Sequence, residues 1–313
     1  MRKVLFTIIL LSLLLLCACG GTRAAAPAPE SGGLQIVTTV FPAYDFARQI
    51  GGDRVAVTLL VPPGAESHSF EPTAKDMLRV QDCDLFFFNG GESEAWVETL
   101  LESGAAVRTL AMLDCVDALE EEVKEGMQES REEEEEGPEY DEHVWTSPVK
   151  AQEICAALCE ELCALDPEGE NDYRERLTAY TEALRALDEG FRRTVEEGTH
   201  RTLVFADRFP VRYFVEEYGL EYFAAFPGCA EETEPSARTV AFLIDRVREE
   251  QLPAIFYIEF SNEKMADVIR EDTGCKKLLF HSCHTVSAGE LQNGVSYLAL
   301  MEQNMAALKE ALG

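Results

Sequence analysis

Basic residues are scarce in this chain: 27 lysines and arginines stand against 58 aspartates and glutamates, a formal charge of -31. A surface of that sign repels phosphate, which excludes nucleic acid and an anionic membrane surface as partners and is compatible with a cationic ligand. Histidine is scarcer still, with five in 313 residues, so any imidazole site must draw on very few positions. The sequence also lacks an HExxH pair and a Gly-x-Ser-x-Gly elbow, the marks by which many zinc and serine hydrolases announce themselves. The apolar run Val4 to Leu16, preceded by Arg2 and Lys3, is too short for an ordinary transmembrane helix and reads as a secretory signal.

What is present begins with that signal. Leu16-Cys17-Ala18-Cys19 resembles a bacterial lipobox, with an aliphatic residue three before the cysteine and a small one just before it. The expectation is a lipoprotein signal over 1–18, lipidation of Cys19, and a flexible tether over 19–33 rich in Ala, Pro and Gly. Eight cysteines follow Cys19. Export permits disulfides, but Cys155, Cys159 and Cys163 recur every four residues on one helix face, a poor arrangement for pairing. They read as small buried hydrophobes, and no pairing is assigned.

The stretch Asp166 to Gly198 organises the rest. Tyr173, Leu177, Tyr180, Leu184, Leu187, Phe191 and Val195 fall at intervals of three and four, one stripe of an α-helix among charged positions. Asp166 is placed to cap it, Pro167 to start it and Gly198 to end it. On either side, apolar strand-like runs alternate with amphipathic helices. Strands are expected at Leu34–Val40, Val55–Val61, Asp84–Phe88 and Val107–Leu110, then at Thr202–Phe205, Tyr222–Phe226, Ala254–Glu259 and Lys277–Phe280. Such alternation gives right-handed parallel units. The fold class is therefore α/β: two lobes, each a four-stranded mostly parallel sheet with helices on both faces, joined by one long rigid helix. The lobes are set at 34–165 and 200–313, the linking helix at 166–199. An acidic loop at 119–142, with Glu132 to Glu136 uninterrupted, is expected to be a mobile segment that is either simply solvated or a weak collector of cations.

In parallel sheets ligands bind beyond the carboxyl ends of the strands. That rule selects His68 and His143 in the first half, and Asp207, Glu259 and His281 in the second. The other two histidines are His200, read as a group near a helix C-terminus, and His284. Imidazoles and a carboxylate converging from two lobes would make a closed tetrahedral site suited to Zn²⁺.

Several motifs carry a resemblance. Gly64 to Asp76 (GAESHSFEPTAKD), Asp141 to Pro148 (DEHVWTSP), the long helix, Tyr218 to Leu220 after it, and Phe256 to Gly274 (FYIEFSNEKMADVIREDTG) resemble, in order, the metal-receptor lipoproteins of zinc and manganese ABC importers. The resemblance covers nearly all of Leu34 to Gly313. It implies an extracytoplasmic, lipid-anchored, monomeric bacterial protein at the cell membrane, which binds zinc and delivers it to a permease, and which is not an enzyme. Two departures stand out. The family usually has His or Glu after the first strand of the second lobe, where this chain has VFADRFPVRYF with an apparent insertion. Its usual Asp after the last strand is His281 in LLFHSCHTVS. The roles are read as exchanged: His68, His143 and His281 supply three imidazoles and Asp207 the carboxylate. Glu259 is read as a structural carboxylate, and His284, with Cys283, as a secondary possibility. Alternatives are a manganese or iron receptor, a secreted zinc hydrolase with Glu259 as general base, and a surface adhesin.

Overall fold

The computed structural model describes residues 33–65, 70–102, 107–128, 140–230 and 234–313. Cys19, His68 and the glutamate run of the acidic loop lie outside the described residues. None of the described helices is long and apolar enough to cross a membrane.

The first sheet is built from β1 (Leu34–Thr38), β2 (Val55–Leu59), β3 (Leu85–Phe88) and β4 (Thr109–Ala111). Between them run α1 (Phe41–Gly51), α2 (Ala74–Gln81) and α3 (Trp96–Glu102). All pairings are parallel, in the order β2-β1-β3-β4. Two helices then cross the molecule, α4 (Pro148–Leu165) and α5 (Glu170–Glu197). The second sheet repeats the plan with β5 (Thr202–Arg208), β6 (Glu221–Phe226), β7 (Ala254–Tyr257) and β8 (Lys276–Leu279), again all parallel and in the order β6-β5-β7-β8. Its helices are α6 (Arg212–Tyr218), α7 (Ala237–Glu249), α8 (Lys264–Thr273), the short α9 (Ala288–Gln292) and the closing α10 (Tyr297–Leu312). In each sheet the chain winds one way from the first strand and then the other, which opens a crevice beyond the strand ends.

Alternation along the strands explains why both faces of each sheet are covered. Ile36, Leu85 and Phe87 enter the main core, whereas Val37 and Phe86 enter a smaller cluster with Val80, Val97 and Leu100. In the second sheet Leu203, Phe205 and Phe256 face the main core, and Val204 and Ile255 face a cluster under α7 and α8. Successive side chains point to opposite faces, so strands buried on both sides read as continuous apolar runs.

The stripe on α5 is buried as the spacing predicts, with Leu177 half-buried and the other six enclosed. The helix packs on α1, α4 and α10, and at 28 residues spans about 42 Å. Asp166 caps the turn before it: Oδ1 accepts the Gly169 N–H at 3.2 Å, and Oδ2 accepts from Tyr173 Oη at 2.9 Å and Arg54 Nη1 at 3.0 Å. The main core is continuous from β1 through α5 to β7 and α10, so the two halves share one interior.

The last helix starts at Tyr297, because Ser296 caps it and the buried Asp45 carboxylate accepts the Tyr297 N–H at 2.8 Å; a separate turn, α9, precedes it with its own Ser287/Glu290 capping box. The start of the acidic loop is anchored. Leu119 N–H donates to Tyr213 Oη at 3.0 Å, Gln128 N–H to the Ala225 carbonyl at 2.9 Å, and Lys124 lies over the Tyr222 ring. Residues 119–128 thus lie along the second half of the molecule.

Candidate metal-binding cleft

A cleft of about 250 Å³ opens beyond the carboxyl ends of both sheets. The first half contributes Gly64 and Ala65, which follow β2, and His143; the second contributes residues at or beyond the ends of its four strands, among them Arg208, Gly228, Glu259, Phe260, Ser282 and His284.

His143 sits on a single turn, Val144–Thr146 following it, at the entrance to α4. Asp141 fixes it twice, accepting its backbone N–H at 2.8 Å and lying 3.2 Å from Nδ1. A carboxylate at Nδ1 keeps the proton there and leaves Nε2 with the lone pair a metal needs. Burial pushes the imidazole pKa down, but Asp141, Glu142 and Glu121 together pull it above its ordinary value. The seat is tight: a side chain at Gly228 would meet the Phe209 carbonyl at 2.9 Å and His143 Cε1 at 3.3 Å. Trp145 ties this turn to the second half, its Nε1 donating to the Ser282 carbonyl at 2.8 Å while Tyr297 Oη donates to the Trp145 carbonyl at 2.7 Å.

His284 comes to the same place from the other side. Its ring centroid is 5.4 Å from that of His143, at 85°, and 5.2 Å from that of Trp145. Glu259 builds the turn that presents it. The carboxylate accepts the Ser282 N–H at 2.7 Å and the Ser282 hydroxyl at 2.5 Å, and the Ser282 hydroxyl accepts the His284 N–H at 3.2 Å. Cys283 between them has φ +63°, a left-handed backbone that costs a non-glycine residue about 1–2 kcal/mol.

Of the four donors expected from the sequence, His143 lines the cleft, His281 and Asp207 do not, and His68 lies outside the described residues. His281 is buried, and Asn304 holds its backbone at both N and O, at 2.7 Å each. Its Nδ1 accepts the Cys283 N–H at 2.9 Å, so in the neutral ring the proton is on Nε2 and neither nitrogen has a spare lone pair. Asp207 is also buried, with Oδ1 accepting the Arg208 N–H at 2.9 Å. The insertion suspected in VFADRF is a β-bulge: Phe205 pairs with Ala224 and Arg208 with Phe226, so the β5 edge carries one extra residue. That shift presents Arg208 to the cleft in place of its neighbour. Glu259, read from the sequence as a structural carboxylate, accepts both Ser282 hydrogen bonds and lines the cleft wall. His200 serves the chain end, its N–H donating to the Leu312 carbonyl at 3.0 Å. All eight described cysteines are free.

Among the described residues no three His, Cys, Asp or Glu side chains are gathered closely enough to hold a metal ion. The described part of the cleft therefore offers a pair of imidazoles, His143 and His284, and needs a further donor. Sequence reasoning ranked His284 second; the signal available was the i, i+3 spacing of the two histidines in His-Ser-Cys-His. Phe260 was missed, and no sequence feature singles it out.

A family model described as "Zinc-uptake complex component A periplasmic" matches residues 36–311. The chain is 31% identical over 305 residues to the high-affinity zinc uptake system protein ZnuA of Bacillus subtilis, covering 96% of this chain and 94% of that one. It is 29% identical over 312 residues to the zinc-binding lipoprotein AdcA of Streptococcus pneumoniae, covering 99% of this chain but only 61% of that longer relative. The crystal structure of the Zn(II)-bound ZnuA-like domain of the same AdcA superposes with a TM-score of 0.75 at 28% identity, over 90% of this chain and 99% of that one.

Proposed function

The chain belongs to the ZnuA family of zinc-uptake components, and from that premise we propose that it is a receptor which captures a divalent transition metal outside the cytoplasm and passes it to an ABC-type importer. Zinc is the favoured cargo, because imidazole-rich sites suit it and manganese prefers more oxygen ligands. The reading makes the protein a carrier, not an enzyme, held to the bilayer through a lipid on Cys19 and working as a monomer.

The observation that carries this reading is the convergence of His143 and His284, one from each half, at the carboxyl ends of two parallel sheets. His68 is the third imidazole proposed. Gly64 and Ala65 already line the cleft, and His68 follows Ala65 by three residues. His284 takes the place first given to His281, whose lone pair is committed to Cys283. A carboxylate or water would complete the tetrahedron; Asp207 keeps Oδ1 on the Arg208 N–H, and its buried Oδ2, which has no hydrogen-bond partner among the described residues, is the oxygen it would have to turn into the cleft.

Elemental analysis of the purified chain and of single alanine variants tests the assignment. One equivalent of zinc is expected in the wild type, with loss on His68→Ala, His143→Ala or His284→Ala and retention on His281→Ala at reduced stability. Zinc lost with His281→Ala but kept with His284→Ala would restore the original exchange of roles. Turnover of ester or peptide substrates by the zinc-loaded protein would favour the hydrolase.

A further inference from the structure

Phe260 is a large apolar residue, 56% exposed, at the mouth of the cleft. It belongs to none of the three hydrophobic clusters, so the fold does not need its ring for packing. Its backbone is left-handed, with φ +59°, a conformation that glycine or asparagine adopts readily and a bulky side chain does not. Glu263 and Cys283, in the turns after β7 and β8, have φ of +56° and +63°. Three of the four described non-glycine residues with positive φ therefore stand in loops on the cleft side of the second sheet. Backbone strain concentrated in this way marks places where the side chain is kept for use.

The ring reaches across the cleft to the first half of the molecule. A Cβ placed on Gly64 would stand 3.6 Å from Phe260 Cε1 and 3.8 Å from Cζ. Beside this contact the Gly64 N–H donates to Thr285 Oγ1 at 3.0 Å, and Thr285 directly follows His284. The Phe260 ring, facing Gly64, and one hydrogen bond thus bring the post-β2 loop against the post-β7 and post-β8 loops along one seam, with His143 and His284 lining the same space.

We propose that Phe260 is the cover of this cleft: a positioning residue that ligates nothing and slows escape of the bound cation by closing the seam against Gly64. The proposal rests on the receptor reading above. The ring must move off Gly64 for the ion to leave, while the donors keep their geometry. Its contribution therefore belongs to the rate of release and not to the ligand set.

The full chain loaded with Co²⁺ provides the test, with metal released into excess chelator and followed by stopped flow. Phe260→Gly removes the ring and also relieves the left-handed backbone. It should release metal on the order of tenfold faster, as expected when one apolar side chain no longer screens the mouth of the cleft. Its Co²⁺ ligand-field bands should superimpose on those of the wild type, and the melting temperature of the metal-free variant should hold or rise. Phe260→Tyr, which keeps the ring, should release at the wild-type rate. Unchanged release from Phe260→Gly, altered bands, or a lower melting temperature would each overturn the cover. A wild type that takes up neither Co²⁺ nor Zn²⁺ would overturn the receptor reading and the cover with it, a result distinct from normal uptake with unchanged release.

Discussion

Glu94 is buried with its Oε2 accepting the Gly90 N–H at 2.8 Å, and burial pushes its carboxyl up to about 7. The nearby Glu142, itself raised by burial, adds like-charge repulsion. A group whose folded pKa is raised stabilises fully below its unfolded value. Here that value is 4.5, and the contribution is lost as pH rises through about 7. The metal-free protein should therefore weaken between about pH 5 and pH 8, by at most about 3 kcal/mol from this group. Glu94→Gln keeps an oxygen for Gly90 and cannot ionise, so its urea midpoint should change less over that range. A wild-type and variant profile that ran parallel would show that Glu94 is not the titrating group. The same scale sets the state of the imidazoles, since Asp141 lies against Nδ1 of His143 while the Cys283 N–H takes the Nδ1 lone pair of His281.

At the scale of elements, α5 decides how the halves meet. Leu184 is wholly buried on its stripe, in the core shared with α1, α4 and α10, whereas Leu177 two turns earlier is half-buried. Leu184→Ala should cost about 2–5 kcal/mol and Leu177→Ala clearly less, read from the shift in urea midpoint at constant slope. Similar losses at the two positions would contradict the buried face assigned here. That face was legible in the sequence because a 3.6-residue period survives in any context, and the central strands β3, β5 and β7 were legible because sheets buried on both sides need continuous apolar runs. The cleft was only half legible. The strand-exit rule found His143 and Glu259, but choosing between His281 and His284 depends on the left-handed Cys283, and cysteine gives no sign of positive φ as glycine or asparagine would. Phe260 was hidden for the same reason. In VFADRF the bulge looked like an insertion, yet which residue it turns toward the cleft depends on pairing with β6.

For the molecule as a whole, the two halves share one core although each has its own sheet. Residues of β1, β3, α5, β5, β7 and α10 belong to one cluster, and Trp145 and Tyr297 bridge the halves by hydrogen bonds. A chain of this size would ordinarily be allowed intermediates, but separating these lobes would expose their common interior. Unfolding of the metal-free chain should therefore be a single transition. Far-UV circular dichroism, which sees both sheets, should coincide with tryptophan fluorescence, which sees Trp96 in the first half and Trp145 at the junction. Under the receptor reading, zinc at 100 times its Kd should add about 2.7 kcal/mol to that one transition by mass action. Two separated transitions, or zinc stabilisation of one probe alone, would mean that the lobes are thermodynamically independent and free to hinge. If instead they unfold as one, wide hinge opening is closed to this protein as a route for releasing metal. Movement must then be confined to the cleft loops, where Gly64, Phe260 and Thr285 meet.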